Sequence, residues 1–250
     1  MSVSGITLLI MLFLGGNPEP VFMVENLPKE TRAYVHEKER KKEILLLYHQ
    51  YKKEVKPLKK EFTKTWRKLK KINLSKKTPT DSLFQMLSYS LDLHKQIALT
   101  GIPYRIQIQE LFLSGEWDAV IVHSKNYPGD SILKNDRQAL DLELDEIKFI
   151  ITKYISDPFR ATEVCKAHHR LSSRLTELIE IYAGTIVYNL SIFSERDAGR
   201  HELEKAISST YAMDDEVLFA LADFNIIVRD YTTNEEWFQM ARKINRRYSY

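Results

Sequence analysis

The chain has one cysteine in 250 residues, Cys165, so it forms no internal disulfide and gives no sign of an oxidising compartment. Eight Gly and eight Pro are few for this length and argue against a fold of many short strands and turns. No Walker loop, dinucleotide fingerprint, Cys-x-x-Cys pair, His-Glu-x-x-His helix or nucleophile elbow occurs, so the usual signatures of an enzyme are missing. Charge is absent from the first sixteen residues, MSVSGITLLIMLFLGG, which run apolar from Ile6 to Leu14. Almost everything after Lys29 is densely charged.

That apolar head is about 12 residues long, a helix of roughly 18 Å, which falls short of a ~30 Å hydrocarbon core. It reads best as a short uncleaved membrane anchor, inserted through Ile6, Leu8, Leu9, Leu12 and Phe13 and packed against other membrane helices. Asn17, Pro18 and Pro20 break it at the interface. A cleaved secretory signal is the main alternative, although no Lys or Arg precedes the segment. The third is a helix buried in the protein's own core or a partner's. Lys29 and Arg32 follow the head and nothing basic precedes it, which places the body in the cytoplasm. A cleaved signal would make the body periplasmic or secreted.

The net charge of +3 hides an asymmetry. Between His36 and Lys77 stand sixteen Lys or Arg against five Glu, net +11, so the rest of the chain carries −8. A basic arm of this kind attracts anionic surfaces.

Leu, Ile, Lys and Glu dominate, and the apolar spacing is helical throughout. A helical pattern begins near Lys29, with Ile44, Tyr48, Tyr51, Val55, Leu58, Phe62, Trp66, Leu69 and Ile72 on one stripe close to a heptad seam. Pro57 is expected to kink it near Val55, and Asn73 to Thr80 reads as a linker. A second helix runs from Asp81 to Leu99 and is expected to stop at Gly101-Ile102-Pro103. Tyr104 to His123 reads as two short helices broken at Ser114-Gly115. The run Gly115 to Ala119 is like the turn of a helical-repeat hairpin, but no second copy lies at a 34-residue period. Ser124 to Asp130 is a loop. A stripe from Leu133 to Tyr154 follows, and Asp157-Pro158 restarts the helix that carries Cys165, His168, Leu175 and Tyr182. Asp130 to Phe193 is thus a long antiparallel hairpin. Further helices are expected over 195–209, 214–228 and 234–247.

Cys165, His168 and His169 could share a helical face, but three or four ligands are usual for a metal, and a buried histidine explains His168 with less. Asp141, Glu143, Asp145 and Glu146 lie mostly off the apolar seam, as on a solvated face. The aromatics of the basic helix share its apolar stripe and the lysines do not, which disfavours a base-stacking platform for nucleic acid.

The sequence therefore predicts an all-α protein of long antiparallel helical hairpins, with a short apolar segment over 1–24, a basic amphipathic arm over 25–78 and a helical body over 79–250. The expected role is a membrane-associated scaffold, a non-catalytic accessory subunit without cofactor or metal. Its partners are other protein subunits and an anionic lipid surface. The residues expected to meet an acidic surface are Lys52, Lys56, Lys59, Lys60, Arg67, Lys68 and Lys70.

Overall fold

The computed structural model describes residues 26–122 and 131–247. The expected anchor, Ile6 to Phe13, lies outside them. The described residues form eight helices and no strand: α1 Leu27–Tyr34, α2 Lys38–Ile72, α3 Thr80–Leu111, α4 Ser114–Val122, α5 Ser131–Tyr154, α6 Pro158–Ser194, α7 Arg200–Asp230 and α8 Asn234–Arg247. The chain is all-α, and no described helix is long and apolar enough to cross a membrane.

Local signals set several of the ends. Asn26 caps α1 by accepting the Lys29 amide on Oδ1 at 3.1 Å, with Pro28 in the first turn. Asp157 caps α6 in the same way, accepting the Arg160 amide at 2.8 Å ahead of Pro158. Thr233 and Glu236 form a reciprocal box at the start of α8. The Glu236 amide donates to Thr233 Oγ1 at 3.2 Å, and the Thr233 amide to Glu236 Oε2 at 2.8 Å.

Three expectations from local residues are corrected. Gly101-Ile102-Pro103 does not stop a helix, because α3 runs through it to Leu111. Gly101, Ile102, Arg105 and Ile108 are all buried, and burial on both sides of Pro103 outweighs the ~3 kcal/mol that a proline costs a helix interior. The expected break between residues 209 and 214 is absent for the same reason, since Tyr211 and Met213 are buried inside a continuous α7. The pattern beginning near Lys29 is two helices rather than one. Val35, fully buried, leaves α1 in an extended conformation before α2 starts. Pro57 lies inside α2 without ending it.

α2 packs along α3 and α6 along α7, and α3 and α7 pack on each other. α1 lies against α2 and α4, and α5 lies against α6 and α8. Two apolar cores result. One gathers Ile44, Val55, Ile108 and Trp117 with Leu203 and Ile207. The other gathers Val164, Leu175, Val228 and Trp237 with Leu83 and Leu87. Each core thus draws residues from both the first and the second half of the chain.

Leu87 and Ile207 are each 1% exposed, in different cores. Leu87→Ala and Ile207→Ala are expected each to cost about 2–5 kcal/mol. Urea unfolding checks this through a lowered midpoint at unchanged m-value.

Candidate functional site

The basic face of α2 follows from where its apolar stripe goes. Ile44, Tyr51, Val55 and Leu69 are buried, Tyr48, Leu58 and Trp66 are packed against the cores, and Phe62 meets the Trp66 and His94 rings. With that stripe spent inside the protein, Lys52, Lys56, Lys60, Arg67 and Lys68 are exposed. Lys52, Lys56 and Lys60 stand one turn apart on a common face, and Arg67 continues it two turns on. Lys59 and Lys70 are half-buried instead, and burial pushes the Lys70 ammonium below its ordinary pKa. Three acids of α2 and its N-cap have partners of their own. Glu54 accepts the Tyr104 hydroxyl at 2.5 Å, Glu37 pairs with Arg40, and Glu61 pairs with Lys64 at 3.5 Å.

A second feature, invisible to the sequence reading, ties the helices together. Arg40, the third residue of α2, grips Glu116 with both ends of its fork, at 2.6 and 3.0 Å, and donates to the Leu111 carbonyl at 2.9 Å. Glu116 also accepts the Leu113 amide at 2.9 Å. Arg160, the third residue of α6, grips Glu236 at 2.5 and 3.0 Å and donates to the Tyr231 carbonyl at 3.1 Å. Ser156 donates to Glu236 through both its amide and its hydroxyl, at 3.1 Å. Each arginine is 76 residues from its glutamate and 71 from its carbonyl. Arg160, Glu236 and Tyr231 lie 120 positions after Arg40, Glu116 and Leu111.

Tryptophans follow both glutamates. Trp117 Nε1 donates to the Ser194 carbonyl at 2.8 Å, and Trp237 Nε1 to the Asn73 carbonyl at 2.9 Å. A guanidinium covers each ring, Arg105 at 3.7 Å from the Trp117 centroid and Arg229 at 4.6 Å from that of Trp237. The sequence signal was the Glu-Trp pair at 116–117 and again at 236–237. The pair recurs at 120 residues, far beyond a 34-residue period.

Cys165, His168 and His169 line an open groove between α5 and α6 with Asp141 and Asp145. His168 Nε2 makes a hydrogen bond of 2.8 Å with the Leu144 carbonyl, and the ring meets Phe224 edge-on. Burial keeps its pKa below the ordinary histidine range. It is a buried, satisfied histidine, and among the described residues no three His, Cys, Asp or Glu are grouped to hold a metal. Asp141 and Asp145 are exposed.

No protein-family model matches the chain, and neither a curated protein nor a solved structure matches it.

The Arg160 hydrogen bond holds the Glu236 carboxyl down at about 2, against an ordinary 4.5. A carboxylate depressed in the folded state contributes stability above pH 4.5 and loses it as pH falls toward 2. His94 bonds to the Tyr211 hydroxyl at 2.7 Å, and burial lowers it to about 4 from 6.5. The unfolded chain therefore takes up that proton first, and stability falls as pH drops from 6.5 toward 4. Urea midpoints measured against pH are expected to decline across both windows. Glu236→Gln should lower the midpoint at neutral pH and flatten the decline between 4.5 and 2, and an unaltered acid limb would show that the pair does not set it.

Proposed function

We propose that this protein is a membrane-associated helical scaffold, a non-catalytic subunit of a larger assembly, that turns the basic face of α2 toward an anionic surface of lipid headgroups. The observation that carries the reading is the outward row of Lys52, Lys56, Lys60, Arg67 and Lys68 on a helix whose apolar stripe is already buried. Such a helix needs no further partner to satisfy its hydrophobic side, which leaves its charge for binding.

The second half of the chain supplies an internal control. α6 packs on α7 as α2 packs on α3, yet at 120 residues' distance those five cations are replaced by Ser172, Thr176, Glu180, Val187 and Tyr188. A helix in this setting therefore has no structural need of cations there. The apolar run from Ile6 to Leu14 supports the same reading, because a short anchor and a basic face reinforce each other at an anionic membrane.

Two measurements test this. Carbonate extraction of native membranes with intact-mass analysis is expected to leave the full-length chain in the pellet. A soluble chain lacking the first residues would transfer the reading to a secreted or periplasmic binding protein. On phosphatidylserine vesicles, a cation near the surface is worth about 1 kcal/mol. The combined variant Lys56→Glu, Lys60→Glu, Arg67→Glu and Lys68→Glu is therefore expected to lose up to about a thousandfold in partitioning. Binding that survives it would remove α2 from the interface.

A further inference from the structure

The residues that complete each core come from the other half of the chain, and the exchange is mutual. Leu69, Leu83, Leu87 and Leu91, from the end of α2 and the start of α3, close the core built by Val164, Leu175, Val228 and Trp237. Phe193, Leu203, Ile207 and Tyr211, from the end of α6 and the start of α7, close the core built by Ile44, Val55, Ile108 and Trp117. Leu203, Ile207 and Tyr211 lie 120 residues after Leu83, Leu87 and Leu91.

The polar contacts obey the same rule. Gln109 Nε2 donates to the Ala198 carbonyl at 3.1 Å. Arg229, 120 residues after Gln109, donates to the carbonyl of Thr78, 120 residues before Ala198. When residue i of one body meets residue j of another, and the equivalent of j meets the equivalent of i, the contact is isologous, as across the two-fold axis of a dimer. Even the helix end before each long helix conforms. The Val35 amide bonds the Thr31 carbonyl and the Ile155 amide the Ile151 carbonyl, both at 3.1 Å.

We propose that residues 27–122 and 147–242 are two copies of one unit, duplicated in tandem, and that the surface each copy presents is built to receive a second copy of itself. Each unit packs the helix ends around the turn between its long helices, 73–79 in the first and 193–199 in the second, into the other's core, as the subunits of a domain-swapped dimer do. Identities at 120 residues' distance include residues of both cores and of both arginine-glutamate ties: Tyr34 and Tyr154, Arg40 and Arg160, Leu58 and Leu178, Leu83 and Leu203, Glu116 and Glu236, Trp117 and Trp237. The row of Lys52, Lys56, Lys60, Arg67 and Lys68 is not repeated in the second unit. The mutual exchange means that neither unit closes its own core, and that the covalent connection between Val122 and Ser131 is not what holds the two together.

A protease site placed in the full-length chain between Val122 and Ser131 tests this. After cleavage the two fragments are expected to co-elute as one species of the intact size and to unfold in urea in one transition, whose midpoint now rises with protein concentration. Fragments that separate under native conditions, each keeping its own cooperative unfolding, would overturn the proposal. Hydrogen exchange on the uncleaved chain gives a second readout. Leu87→Ala, a change in the first unit, is expected to speed exchange in α8 of the second unit, and acceleration confined to residues 38–122 would equally refute the exchange of cores.

Discussion

Two helix ends are buried in this protein, and the carbonyls they leave unpaired constrain much of what surrounds them. The last four carbonyls of any helix lack intrahelical partners, and burying them without donors is costly. The end of α2 and the turn after it expose Asn73, Lys76 and Thr78 carbonyls to the second unit, where the Trp237 indole and Arg229 guanidinium meet them. The end of α6 exposes Phe193, Ser194 and Glu195 carbonyls to the first unit, where Trp117 and Arg105 meet them. Arg105 is fully buried, and two carbonyls and the face of Trp117 stand in for water around its charge. Both carbonyls are met by Nη2, and a lysine at that position would lack the flat guanidinium that lies over the Trp117 ring.

The arginine-glutamate pairs fix the other end of each unit. Glu116 and Glu236 sit in the first turn of α4 and α8, where a carboxylate is favoured by the helix dipole and by free amides. Each also ties the start of a long helix to the end of the next, because its arginine reaches the carbonyl of Leu111 or Tyr231. One side chain thus joins three helices. Desolvation opposes ionising Glu236, yet its pKa falls, so the hydrogen bonds from Arg160, Thr233 and Ser156 outweigh burial there.

Helix type, the restart at Asp157-Pro158 and the helix over 234–247 were legible in the sequence because each depends on neighbouring residues. Gly101-Pro103 and the segment around Met213 misled the reading because their helical state is imposed by burial between distant helices, which no local window contains. The basic character of α2 was legible because charge adds along the chain. The half-burial of Lys59 and Lys70 was not, since it depends on how α2 packs in the fold. The arginine-glutamate pairs span 76 residues and stayed hidden until the fold brought the partners together.

The clasp and the basic face stand in a definite relation. The lysines belong to a helix whose C-terminal end is buried in the other unit through Leu69 and the Asn73 carbonyl, and whose N-terminal end is pinned by Arg40. Fixed at both ends, a helix of 35 residues, about 52 Å at ~1.5 Å per residue, presents its cations as a rigid row rather than as a flexible tail. Rigid display spares the entropy of ordering a charged segment on binding. The duplicated scaffold explains why such a row could arise on one copy alone. Positions on α6 equivalent to Lys52, Lys56 and Arg67 hold serine, threonine and valine in the same setting, so the fold does not require charge at those sites.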